Sequence, residues 1–261
     1  MPTLREIESA LYELAPKDTA MEGDNVGLLI GRPDREVSRI LVALDVTEEV
    51  AEEAIRQGAN LIVAHHPVMN CAWNPVQTIR DDGHPQGRLF LKLIENGIAA
   101  ICMHTNLDRA EGGVNDALAA RLGLENVEKL PGGEDVPRVG ELPGQMELPA
   151  FLQWVKAAIH PNGIRFADGG RPIRRVAVGG GACGEFLWAA AADGCDAFVT
   201  SDLKYNQFLD AQAIGLTVLD AGHFPTEDVV CPVLCAYLRE AFPEVTVEKS
   251  AVHREAVQYY V

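Results

Sequence analysis

Six residues of metal-binding type stand directly behind short apolar runs. AHHP (Ala64 to Pro67) offers His65 and His66, HTNLD (His104 to Asp108) offers His104 and Asp108, and GHFPTE (Gly222 to Glu227) offers His223 and Glu227. Pro67 biases His66 away from helical backbone, and successive side chains on an extended chain diverge. Two such imidazoles suit two adjacent metal ions, or one ion and a substrate, better than a single mononuclear site. A carboxylate bridges two cations where a neutral side chain does so poorly. His65, His66 and His223 with Asp108 and Glu227 mix imidazole and carboxylate in a way that suits Zn, Mn, Fe, Co or Ni and is too nitrogen-rich for a dedicated Ca site. Two such ions would bind and acidify a water near neutral pH, so the expected chemistry is hydrolysis. Taken singly, each element has a plainer reading. HHP could be strand-end histidines satisfied by backbone or water, Asp108 a cap, and Glu227 a charge favourable at a helix N-terminus. The conjunction points to metal.

Ligands of parallel sheets sit at the carboxyl ends of strands, so strands should precede each cluster. The segment RILVALDVTEEVAEEAIRQGANLIVAHHP predicts a strand over 40–44 and a helix with Thr47 as its cap. Glu48 and Glu49 favour the start of that helix, Gly58 stops it, and a second strand covers 61–64. A helix near 88–95 leads through Asn96 and Gly97 into a strand over 98–103. Upstream, Thr3 and Glu6 form a capping box for an amphipathic helix carrying Leu4, Ile7, Leu11 and Leu14. A turn-rich stretch and the apolar run Val26 to Ile30 follow. Fully apolar strands separated by a helix imply a parallel sheet covered on both faces.

The pattern then returns. Aligning Ile40 with Val176, an offset of 136, places Gly58 on Gly194, Leu61 on Ala197, His65 on Ser201 and His66 on Asp202 without a gap. The next strand repeats at a smaller offset of 118, with Gly97 on Gly215. The difference, about 18 residues, corresponds to the connection around Asn70 to Gly87. A duplicated α/β unit follows, with the alternative that two generic strand-helix-strand units align by pattern alone. Gly- and Pro-rich sequence from Pro131 to Gly144 marks the natural boundary, giving halves of 1–128 and 129–261.

DNVGLLIG (Asp24 to Gly31), AHHP, HTNLD, GGVND (Gly112 to Asp116) and GHFPTE, in this order, closely resemble the Nif-three-like family, whose members are often labelled GTP cyclohydrolase I type 2 homologues. The resemblance covers nearly the whole chain. It implies a fold of two similar α/β halves, a three-layer sandwich with mostly parallel mixed sheets, and a dinuclear site between them. Residue by residue, it assigns the metals to His65, His66, Asp108, His223 and Glu227, and likens His104 to a histidine near the metals, standing either behind the ligands or facing the substrate, where it could move protons. It also implies a homohexameric ring, and the length fits the short members that lack an inserted domain. Two departures stand out: Phe224-Pro225 inside the last element, and Pro232, which would kink or delay a helix expected there.

Composition narrows the function. The chain has 261 residues, 48% of them hydrophobic, and carries 38 acidic against 22 basic side chains, for a formal charge of −16. Such a surface repels phosphate backbones, which argues against nucleic-acid or anionic-membrane partners. With no basic leader and no apolar run long enough to span a bilayer, the expected location is cytoplasmic. The six cysteines read as reduced core residues, Cys231 and Cys235 included. Cys71 has no visible partner that would make it a nucleophile. Gly179 to Gly181 fits neither a Walker loop nor a dinucleotide fingerprint. Ser201-Asp202 stands where the first half has His65-His66, so the second copy lacks a matching site. Lys204 and Tyr205 beside it are either solvated or in contact with an anionic substrate. His84, His160 and His253 read as ordinary surface residues. The leading expectation is a metal-dependent hydrolase of a nucleotide-like small molecule or heterocycle; the alternatives are a metal-delivery protein without turnover and a ring-shaped scaffold.

Overall fold

A computed structural model describes residues 1–69, 79–82 and 85–260. In chain order the elements are α1 (Leu4–Leu14), β1 (Gly27–Ile30), β2 (Arg39–Ala43), α2 (Glu48–Gln57), β3 (Leu61–Ala64), α3 (Pro85–Glu95), β4 (Ala99–Cys102) and α4 (Thr105–Arg109). There follow α5 (Val114–Arg121), β5 (Glu125–Lys129), β6 (Arg138–Met146), α6 (Leu148–Ile159), β7 (Arg165–Ala167), β8 (Ile173–Val178), α7 (Leu187–Ala192) and β9 (Ala197–Thr200). The chain closes with α8 (Tyr205–Ile214), β10 (Thr217–Asp220), α9 (His223–Glu227), α10 (Val230–Ala241) and β11 (Thr246–Lys249). Two compact units result, one of residues 1–111 with 231–254 and the other of 112–230 with 255–261. No helix among the described residues is long and apolar enough to cross a membrane.

Local signals account for the helices. Thr3 and Glu6 complete the capping box of α1, and Thr47 caps α2 by accepting from Val50 N. Gly58 ends α2 in the left-handed conformation at φ 70°, which glycine adopts without steric cost. Pro232 falls in the first turn of α10. A missing N–H is tolerated there, so the helix runs on without the delay expected from sequence.

The first sheet has the order β1-β4-β3-β2-β11 and the second β5-β6-β8-β9-β10-β7. Pairing within them reproduces the repeat. Ile40 lies opposite Leu61 in the parallel pair β2-β3, and Val176 lies opposite Ala197 in the parallel pair β8-β9. Leu61 then faces Ala99, as Ala197 faces Thr217. Each three-strand core carries an antiparallel edge on its last strand, β1 on β4 and β7 on β10. The stretch from Pro131 to Gly144, expected as a boundary, instead runs into β6, which pairs with β5 and β8 inside the second sheet. Its Pro143 and Gly144 occupy a register irregularity between Glu141 and Met146, where a missing ladder donor matters least.

The central strands β3, β4, β9 and β10 are buried along their whole length, as their mainly apolar character requires. In the first unit Phe90 and Leu93 of α3 pack with Ile62, Ala64 and Ala100; in the second Phe151 and Val155 of α6 pack with Val176, Val199 and Leu219. Phe151 is fully buried. Phe151→Ala is therefore expected to cost about 3–5 kcal/mol, read as a fall in the urea midpoint with unchanged slope.

The five described cysteines are buried, as expected; Cys71 lies outside the described residues. Burial pushes the thiols of Cys102 and Cys195 up to about 12. Neither should be alkylated by iodoacetamide at pH 8 in the native protein, and both should react once urea unfolds it.

Candidate metal centre

In the first unit, β3 and β4 deliver the histidines side by side. The backbone N–H groups of His65 and His66 both donate to Leu44 O at the exit of β2, at 3.2 and 2.9 Å. Met103 N donates to Ala64 O, which places His104 at the exit of the adjacent strand. The rings of His65, His66 and His104 lie with centroids 4.9, 5.2 and 5.7 Å apart. One nitrogen of each lies within 4.8 Å of the others, a spacing that could hold a metal ion. Asp108, one turn along α4, brings Oδ1 to 3.6 Å from Nε2 of the fully buried His65.

In the second unit, α9 places His223 and Glu227 four residues apart on one helix face. Their Nε2 and Oε2 atoms are 3.0 Å apart, and the carboxylate is buried. Gly179 to Gly181 after β8 finds its explanation here. Gly181 has φ +64°, and a Cβ on it would lie 2.1 Å from Glu227 Oε1 and 3.1 Å from His223 Nε2. The glycines let the loop close on the pair, and Gly181 N and Gly180 N are held by the side chains of Thr226 and Asn115.

The Nδ1 atoms carry the information that the sequence motifs lack. His65 Nδ1 donates to Met103 O at 2.8 Å, and His66 Nδ1 to Asp45 Oδ1 at 2.7 Å. His104 Nδ1 donates to Asp24 Oδ1 at 2.9 Å, and His223 Nδ1 to Asp202 Oδ2 at 2.5 Å. Carboxylate and carbonyl oxygens only accept, so each ring carries its proton on Nδ1 and keeps a lone pair on Nε2 when neutral. This is how metal-ligating histidines are oriented in general.

Asp24, in the DNVGLLIG element, also accepts from Thr105 N at 3.1 Å and from Thr105 Oγ1. Burial would raise its carboxyl, but the contacts with His104 and Thr105 outweigh it and hold Asp24 well below the usual carboxylate range. Asp45 is likewise lowered: burial opposes, and hydrogen bonds from His253 and His66 prevail. At His223, burial alone would lower the imidazole, whereas Asp202 and Glu227 raise it to about 11. The metal-free protein thus keeps a proton where the two carboxylates call for positive charge.

Three supporting residues, Asp24, Asp45 and Asp202, are not predicted in that role from sequence, and His253 is not the ordinary surface residue that its sequence suggests. His253 is in fact nearly buried, with Nε2 3.2 Å from Asp45 Oδ2. Its surroundings look polar in sequence, while the chain return that buries it is a long-range event. Asp202 takes a left-handed backbone, φ 54°, rare for a non-glycine residue. So Ser201-Asp202, the counterpart of His65-His66, brings no imidazole but supplies the acceptor for His223. His160 is an exposed left-handed helix cap, and His84 lies outside the described residues.

The sequence and the fold are both similar to those of known proteins. The profile of the Duf34/NIF3 (NGG1p interacting factor 3) family matches residues 2–256. A Streptomyces coelicolor protein named GTP cyclohydrolase 1 type 2 homolog is 36% identical over 92% of this chain and 87% of its own. A Clostridium perfringens protein of the same name is 34% identical over 86% of each chain. Among solved structures, a Bacillus cereus protein related to NIF3 superposes with a TM-score of 0.91 at 28% identity, covering 100% of this chain and 99% of that one. A Staphylococcus aureus hypothetical protein gives a TM-score of 0.89 at 29% identity, covering 99% of each.

Proposed function

The chain belongs to the Duf34/NIF3 family, and on that footing we propose that it is a dinuclear metal protein that hydrolyses a nucleotide or related heterocycle. The name GTP cyclohydrolase 1 type 2 homolog, carried by its relatives, supports the choice of substrate class. His65, His66 and Asp108 from the first unit, with His223 and Glu227 from the second, are the proposed ligands of two ions of the Zn, Mn, Fe, Co or Ni kind. The observation that carries the proposal is the shared state of the motif histidines. Each gives its Nδ1 proton to an oxygen of its own unit and leaves Nε2 for other use: for an ion in His65, His66 and, once its second proton is displaced, His223, and for proton transfer in His104. That donor set, with two carboxylates to offset cationic charge, fits such ions.

When bound, the ions supply Lewis acidity and water of lowered pKa. Asp24 holds the His104 ring by Nδ1, and Thr105 keeps the Asp24 carboxylate in place. His104 Nε2 then takes a proton from the attacking water or returns one to the leaving nitrogen or oxygen, while Asp24 balances the imidazolium charge. His104 is the proton carrier in this scheme and is dispensable for holding both ions.

Reconstituting metal-free protein with each ion and incubating it with GTP and a panel of phosphoesters tests the reaction. His104→Ala should keep its metal and lose about 10²–10⁴ in turnover. Absence of product with every ion, or ready transfer of the ions to an acceptor apoprotein, would replace hydrolysis with metal delivery. We further propose assembly as a homohexamer, for which sedimentation equilibrium should return a mass of six chains.

A further inference from the structure

Glu53 lies on the core side of α2 and is only 3% exposed, a costly place for a carboxylate unless its oxygens are satisfied. Two of its hydrogen bonds come from the C-terminal segment. Ser250 Oγ donates to Oε2 at 2.5 Å, Ala251 N donates to Oε1 at 3.0 Å, and Gln57 Nε2 adds a third from the same helix. Ser250 N also donates to Val42 O at 2.7 Å, tying the segment to the end of β2. The turn so fixed presents His253, whose own N–H donates to Ser250 Oγ at 3.2 Å.

His253 Nε2 reaches Asp45 Oδ2 at 3.2 Å, while the other oxygen, Oδ1, accepts from His66 Nδ1 at 2.7 Å. The Asp45 side chain is 40% exposed, so it would swing freely if one histidine alone held it. Contacts on both oxygens fix the plane of the carboxylate and hold Oδ1 in line with the His66 ring. A connected set of hydrogen bonds therefore runs from Glu53 through the 250–253 turn and His253 to Asp45 and His66.

We propose that His253 is a positioning residue for the metal centre, acting through Asp45 to keep His66 in the Nδ1–H tautomer with Nε2 directed at its ion. The inference rests on the reading of His66 as a ligand. It gives a purpose to the buried Glu53 and to the tight return of the chain at Ser250, neither of which the ligands themselves require.

The test uses the full chain labelled with ¹⁵N-histidine. In the metal-free protein, long-range ¹H–¹⁵N spectra should show His66 as a single Nδ1–H tautomer, and in His253→Ala as a tautomer mixture. Stepwise metal titration should show affinity for one ion falling by about 3–30-fold in His253→Ala, somewhat less than direct loss of an outer-shell partner causes. His253→Gln, whose amide can donate to Asp45, should restore most of both signals, and His253→Ala should add nothing in an Asp45→Ala background. An unchanged tautomer and affinity, or an effect fully additive with Asp45→Ala, overturns the proposal. His253→Asn, too short to reach Asp45, replaces the alanine variant if that one does not fold. Wild-type protein that binds no ion would refute the metal reading, and the tautomer comparison in metal-free protein would still decide the role of His253.

Discussion

Glu227→Ala is expected to strip the protein of at least one ion and of its activity while leaving it folded. Glu227 is buried on α9, 3.0 Å from His223 Nε2, so it is the negative charge nearest the donor atom of that imidazole. Asp202 cannot replace it, since it sits on the opposite ring nitrogen and offers nothing to a cation at Nε2. The loss in affinity should exceed the roughly 10–100-fold that removal of an outer-shell partner costs. Dialysed variant protein measured by inductively coupled plasma mass spectrometry gives the result directly. Far-UV circular dichroism should match the wild type, since the change falls at the end of a five-residue helix and outside the two apolar clusters.

Gly181→Ala should reach nearly the same outcome without touching a ligand. The added methyl would stand 2.1 Å from Glu227 Oε1 at a backbone with φ +64°. Of the two parties, the flexible carboxylate yields, so Glu227 turns away from His223. The backbone penalty is about 1 kcal/mol, too little to unfold the second unit. Metal affinity should fall by about 10–100-fold, as for other losses of ligand orientation. Isothermal titration with Zn or Mn and a urea melt on the same sample separate the two effects. A variant that binds metal like the wild type would show that Glu227 does not depend on the closeness of this loop.

The contrast between legible and hidden features follows range in the chain. The capping box at Thr3 and Glu6, the Thr47 and Gly58 ends of α2, and β3 at 61–64 are set by neighbours within four residues, and all were readable. The internal repeat was readable for the same reason, because pairing partners in a parallel sheet inherit the spacing of their glycines and apolar runs. The proposed ligand residues show themselves by type, as histidines and carboxylates behind strands.

Their supports do not. Asp24 lies 80 residues from His104, and Asp202 lies 21 from His223. Aspartate in a turn has so many local uses that its type alone says little. Asp45 had the same signal as the ligands, a polar residue at the exit of an apolar strand, and could have been found by asking that of β2. His253 had none, since its burial depends on a return of the C-terminal chain to β2 through β11. The Pro131–Gly144 stretch misled because glycine and proline mark bulges as well as linkers, and here Pro143 and Gly144 stand in a strand irregularity.

Metal content of untagged protein, measured after reconstitution with Zn, Mn, Fe, Co or Ni and removal of excess ion, tests the central claim most directly. Close to two ions per chain are expected for at least one of these metals, with fewer in His65→Ala and Glu227→Ala. Protein that is folded by circular dichroism yet retains no ion from any of the five would contradict it.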